Sequence, residues 1–210
     1  MEPGTPREPR EGLPDRIVFH TLVSTPESEE LKNDPNAFLI YFVTDPPLPV
    51  KTNFVRLRAP GFVDNKKYQE LLESDEIRHA LAQVNDVDII VTSASCWADD
   101  HSMYRRHMEE HASAAQALEA QGIIGDMMWL PLSNAGPLEN HPQRRAMSIL
   151  ELTDLSSRIE KGTDGFLILG PCGRCHSPKT KILKAILNLE KPLNTHLIVD
   201  IRTAGGLYSE

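Results

Sequence analysis

Cysteine is scarce in this chain: three residues among 210, Cys96, Cys172 and Cys175. Three thiols make no disulfide framework, which fits a reducing, cytoplasmic compartment. Long apolar runs are lacking as well. The longest, Ala37 to Val43, falls far short of the roughly 20 residues that a membrane span requires. The stretch Met1 to Pro14 is rich in Pro, Glu and Arg and has no apolar segment of the kind an export signal carries. Positive charge is in the minority, with 22 Lys and Arg against 30 Asp and Glu and a net charge of −8. A nucleic-acid surface needs clustered cations to neutralise phosphates, so no direct nucleic-acid contact by this chain is expected, and no membrane contact either.

What is present is ordinary for a globular protein. Hydrophobic residues make up 40% and charged residues 25%, enough apolar material for a sizeable core. Residues 1–14 read as a disordered tail and residues 15–210 as one folded domain. Ile17 to Val23, Asn53 to Leu57, Val87 to Val91, Ile123 to Leu130, Met147 to Leu152, Gly165 to Leu169 and Leu197 to Val199 read as strands. Ala37 to Val43 is ambiguous between strand and helix. Between the strands lie helical patterns: Asp64 to Ala82, split at Ser74; Ser102 to Gln121, one long helix ended by Gly122; Thr153 to Glu160; and Pro178 to Asn188. Strands separated by helices imply crossover connections and a mainly parallel sheet, an α/β fold.

Several segments, taken in order, resemble the effector-binding domain of SorC/DeoR-type bacterial transcriptional regulators. They are Ala59-Pro60-Gly61-Phe62-Val63-Asp64 followed by Leu71 to Ile77; Asp88-Ile89-Ile90-Val91; Gly122-Ile123-Ile124-Gly125-Asp126 with Asn134-Ala135-Gly136; Lys179 through Ala185-Ile186-Leu187; and Leu197-Ile198-Val199-Asp200 with Thr203-Ala204. The resemblance implies a three-layer α/β sandwich like that of ribose-5-phosphate isomerase and glucosamine-6-phosphate deaminase. It implies a homo-oligomer that binds a phosphorylated sugar and is not an enzyme. The sequence departs from that pattern in two ways. It has no helix-turn-helix or first Gly-rich loop, and Ser93-Ala94-Ser95 stands where the family has Gly-x-Gly.

Four residues are the expected ligand contacts. Arg105 and Arg106 lie where the resemblance implies an effector-contacting arginine, and Asp126 falls on the Gly-Asp motif, where a carboxylate would accept from sugar hydroxyls. Lys179 begins a helix, where an ammonium and free N–H groups together favour an anion, with Ser177 and Thr180 as further donors. No cofactor or metal is expected. The bland alternative makes all three cations solvated surface charges.

Other patterns carry chemistry of their own. His107-Met108-Glu109-Glu110-His111 matches H-x-x-E-H, in which two histidines one helical turn apart hold zinc and a glutamate serves as base. This gives a second reading, a zinc hydrolase with distant Glu190 as a third ligand, while an exposed Glu/His-rich helix face is the plainer one. His101 could complete an adventitious metal site. Cys172-Gly173-Arg174-Cys175-His176 admits a plain loop, a redox pair, or half a zinc site with His176 as third ligand. Cys96 and Trp97, followed by Asp99, Asp100 and His101, sit after the central strand, where α/β proteins place ligands. A buried, inert Cys96 is the simpler reading there. A scaffold with a decayed pocket is a third possibility.

Overall fold

We describe a computed structural model over residues 12, 14–24, 50–139 and 144–208. Most of the tail expected over 1–14, and the run Ala37 to Val43, lie outside these residues.

Short strands form near several of the positions that the sequence pattern marks, with shifted bounds. β1 (Arg16–His20) and β2 (Lys51–Val55) pair in parallel. β3 (Phe62–Asp64) runs directly into α1 (Asn65–Leu72), whose first turn is capped by the Asp64 carboxylate accepting from the Lys67 N–H at 2.7 Å. α2 (Asp75–Gln83) follows after the break expected at Ser74. Ser74 acts there differently from a cap: its hydroxyl donates to the Leu71 carbonyl at 2.7 Å, closing α1 rather than opening α2.

β4 (Ile89–Thr92) leads through Ser93 into β5 (Ala94–Cys96). The helix expected over Ser102 to Gln121 is two helices, α3 (Met103–Glu109) and α4 (Ala112–Ala120), broken at Glu110 and His111. No Gly or Pro marks this break. Both halves pack on Phe62, Tyr104 and Met108 from α3 and Ala114, Ala115 and Leu118 from α4, so tertiary burial sets the bend. Gly122, at φ +76°, ends α4 as expected.

β6 (Ile123–Met127) and β7 (Leu130–Ser133) form a hairpin around Met128 and Trp129, both with positive φ, and β8 (Gly136–Pro137) extends it. The sequence pattern ran this hairpin together as one strand. β9 (Arg144–Ala146) pairs antiparallel with β3, displacing the strand expected at Met147 to Leu152, and Leu152 already belongs to α5 (Leu152–Glu160). β10 (Asp164–Leu169), α6 (Thr180–Leu187), β11 (His196–Val199) and α7 (Ile201–Gly205) complete the described chain.

The result is a mixed α/β fold with several sheets. Among the described residues β11-β10-β4 and β1-β2 are parallel, while β5-β6-β7-β8 and β3-β9 are antiparallel. Among the described residues, parallel and antiparallel ladders stand side by side. The main core joins Ile90, Leu167 and Leu169 of the parallel sheet to Met127, Leu130 and Leu132 of the hairpin and to the apolar face of α6. Each fully buried side chain of this size contributes about 1.5–3 kcal/mol. The apolar run Val87 to Val91 is covered on one face only. Ile90 is 2% exposed, but Ile89 and Val91 are 58% and 54% exposed, and Ile168 and Ile198 share that open side. No helix among the described residues is long and apolar enough to cross a membrane.

Candidate functional site

Ser93 is the point at which the chain leaves the parallel sheet for the antiparallel one, and the polar groups of interest gather just beyond it. The Lys179 ammonium, carried at the start of α6, donates to the Ala94 carbonyl at 2.7 Å. One residue on, the Ser95 hydroxyl donates to Asp126 in a short hydrogen bond and lies 3.0 Å from the Ser102 hydroxyl. Ser102 in turn caps α3 by accepting from the Arg105 N–H at 3.2 Å. Gly125 makes this approach feasible. A Cβ there would lie 2.1 Å from the Ser95 carbonyl oxygen, so the second glycine of Gly-x-x-Gly-Asp is demanded by the contact between β5 and β6.

Asp126 is 4% exposed. Burial pushes its carboxyl up to about 6, while Ser95, the Trp129 N–H and the Lys179 charge pull the other way. The Trp129 N–H is available because Met128 and Trp129 make the left-handed turn that a two-residue hairpin requires.

Of the four expected ligand residues, the structure thus brings Asp126 and Lys179 together. Arg105 joins them through its backbone alone, because its guanidinium is held by Glu109 at 2.7 Å, Asp100 at 2.8 Å and the Trp97 carbonyl at 3.2 Å. Arg106 is exposed and stands outside the network. Thr180, expected as a donor, gives its hydroxyl to the Thr203 carbonyl at 3.2 Å. Ser95 and Ser102 are the members that sequence reasoning missed. Nothing short of the β5–β6 register could place them beside Asp126. A separate, mostly apolar cleft of about 1460 Å³ opens between β1, β2 and β4, lined by Ile17, Phe19, Val55, Ile89 and Val91, and holds none of the four.

Among the described residues the H-x-x-E-H run gathers no third ligand. Its helix breaks at Glu110 and His111, so the two histidines are not successive turns of one helix. The His107 ring stacks on Phe62 at 3.9 Å between centroids, and its Nε2 is buried without a hydrogen-bond partner. Burial, reinforced by Arg144, pushes His107 down to about 4. Neither these residues nor Glu190 fall in a ligand cluster among the described residues. His107 is a half-buried ring stacked on Phe62.

Cys96 is buried, and burial raises its thiol above the ordinary range, as suits an inert core cysteine. Trp97 and Trp129 pack around Tyr104 and Phe62. The Cys172–Cys175 loop turns back at His176, whose φ is +56°. The Cys172 N–H donates to the Ser177 carbonyl, and the His176 N–H to that of Cys172, both at 3.0 Å. Hydrogen bonding with Ser177 holds the exposed Cys175 thiol down at about 7. His176, considered as a third ligand, is not among the groups gathered around the two thiols; Asp99 and His101 are.

No protein-family model matches the sequence, and no curated protein matches it. Solved structures do. The full-length sorbitol operon regulator SorC from Klebsiella pneumoniae aligns at a TM-score of 0.65 and 17% identity, over 90% of this chain and 57% of that one. A DeoR family transcriptional regulator from Listeria monocytogenes aligns at 0.64 and 15% identity, over 91% and 78%. A domain of a "possible sugar-binding transcriptional regulator" from Arthrobacter aurescens TC1 aligns at 0.69 and 14% identity, over 92% and 69%. The structural neighbours are therefore SorC/DeoR-type regulators and their sugar-binding domains, and this chain shares their fold.

Proposed function

We propose that residues 15–210 form an effector domain that binds a small phosphorylated sugar and passes its occupancy to the other subunits of a cytoplasmic homo-oligomeric transcriptional regulator. The domain carries out no catalysis in this reading. The observation that carries it is the placing of Lys179 and Asp126 at one switch point between two sheets, in a fold shared with sugar-binding regulator domains. The accompanying fold reading is the three-layer sandwich with a mainly parallel sheet, supported by the β11-β10-β4 and β1-β2 ladders.

In this reading Lys179 supplies charge to the phosphate at the start of α6, where the helix dipole adds to it. Exposed Arg106 supplies further charge from α3, and Arg105 does so only on leaving Glu109, Asp100 and the Trp97 carbonyl. Asp126 acts on sugar hydroxyls through Ser95 and Ser102 rather than directly, because its carboxylate is buried. A ligand shifts the assembly only by the difference in its affinity for two states, so the Ala94 carbonyl must exchange its Lys179 contact for the effector to be felt.

Thermal unfolding of the full chain against a panel of sugar phosphates tests this. At about a hundred times its dissociation constant a true effector adds about 2.7 kcal/mol of stability. The expected result is a rise with one sugar phosphate that disappears in Lys179→Ala; a flat response across the panel contradicts the reading.

A further inference from the structure

Two loops far apart in sequence meet at the end of the parallel sheet. One follows β5 and carries Asp99 and His101; the other follows β10 and carries Cys172 and Cys175. His101 Nδ1 lies 3.1 Å from Asp99 Oδ1 and 3.7 Å from Cys172 Sγ, and Cys175 Sγ lies 3.9 Å from Asp99 Oδ1. All four ligand atoms fall within 4.8 Å of one another, and among the described residues this is the one such group of His, Cys, Asp or Glu. We propose that Asp99, His101, Cys172 and Cys175 are the four ligands of a tetrahedral zinc(II) site that clamps the β10–α6 loop to the β5–α3 loop.

The distances fit that ion. Zinc bonds of about 2.3 Å to sulfur and about 2.0–2.1 Å to nitrogen or oxygen, at tetrahedral angles, put neighbouring ligand atoms about 3.3–3.8 Å apart. The three observed separations bracket that range. The donor set fits too: two thiolates, an imidazole and a carboxylate suit a borderline-soft ion with no geometric preference of its own, and they select against the hard, oxygen-seeking Mg²⁺ and Ca²⁺. Four protein ligands close the coordination shell, which marks a structural site rather than a catalytic one.

The backbone is bent to suit. His176, directly after Cys175, adopts a left-handed φ of +56° with no glycine to ease it, and this folds the loop back beneath Cys172. Cys175 and His101 reach solvent, so an ion has a way in. Lys179 follows Cys175 by four residues, so the clamp also fixes the start of α6. The site involves none of the groups assigned to the sugar phosphate, and zinc binding is measured without any sugar.

The test uses the full chain, reduced, stripped with a chelator, and reloaded with zinc or cobalt(II) alone. We expect one metal per chain after dialysis. The cobalt form should show a sulfur-to-cobalt charge-transfer band and the intense visible bands of tetrahedral coordination. Exposed Cys175→Ser should fold normally and bind zinc at least ~100-fold more weakly, since loss of even a supporting outer partner costs about 10–100-fold. Asp99→Asn should bind more weakly and lose no charge-transfer band, whereas His107→Ala and His111→Ala should keep one equivalent. Failure of the reduced chain to retain metal would overturn the proposal. So would full affinity in Cys175→Ser, loss of metal in His111→Ala, or a pale cobalt spectrum without the sulfur band.

Discussion

The run His107 to His111 and the two loops around Asp99 and Cys172 carry the same kinds of side chain, yet the fold treats them in opposite ways. The contiguous run has the spacing of a metal motif, and its helix breaks in the middle while its first ring stacks on Phe62. The scattered group has only the C-x-x-C half of such a spacing, with Cys172 and His101 separated by 71 positions, and its ligand atoms converge. A motif acts through three-dimensional placement, and spacing predicts placement only while the element assumed beneath it stays continuous.

That contrast can be broken or sharpened by experiment. The largest effect is expected from Phe62→Ala. Phe62 stacks on His107 and Trp129, with centroids 3.9 Å and 5.2 Å away, so truncation should cost about 4 kcal/mol in urea unfolding. The His107 pKa, followed by NMR, should climb back toward 6.5. If stability holds and the His107 pKa stays near 4, the Phe62 stack is not what shields that ring.

A second experiment compares the two acids. Asp126 titrates near 6 because it is buried, so its favourable contribution is present below about pH 4 and is lost as pH rises through about 6. Asp126→Asn should therefore gain about 3 kcal/mol over the parent between pH 4 and pH 7.5, from a shift of roughly two units. Asp99 sits the other way: although partial burial pushes it up, hydrogen bonds from Cys172 and His101 hold its carboxyl below the usual range. In metal-free protein Asp99→Asn should show no such gain, and equal gains in both variants would refute the contrast.

A smaller change is expected at His107 itself. Its depressed pKa gives stability that is present above about pH 6.5 and lost as pH falls through about 4. His107→Gln should flatten that acid loss by about 2 kcal/mol, read as the midpoint shift between pH 7 and pH 4.5. Smallest of all, exposed Glu110→Ala should change stability by no more than about 0.5 kcal/mol.

Element existence was largely legible in the sequence because it rests on local patterns. The apolar spacing of Ile182, Leu183 and Ile186 marks α6, and Gly122 marks the end of α4. Three things were not legible. The Met128-Trp129 turn uses neither Gly nor Asn, the α3–α4 break has no breaker residue, and the open face of β4 looks like any buried strand. Each is decided by what packs on the element. At the candidate site Asp126 and Lys179 could be named from a motif and a helix start. Ser95, Ser102 and the pairing of Asp99 with Cys175 come from register and loop packing alone.

The central claim, that the Lys179 end of α6 receives a phosphate, is tested most directly by calorimetric titration with a responding sugar phosphate and with the same sugar lacking its phosphate. The account predicts saturable one-to-one binding of the first and binding at least ~10-fold weaker for the second, equivalent to about 1.4 kcal/mol. Equal affinity for the two would contradict it.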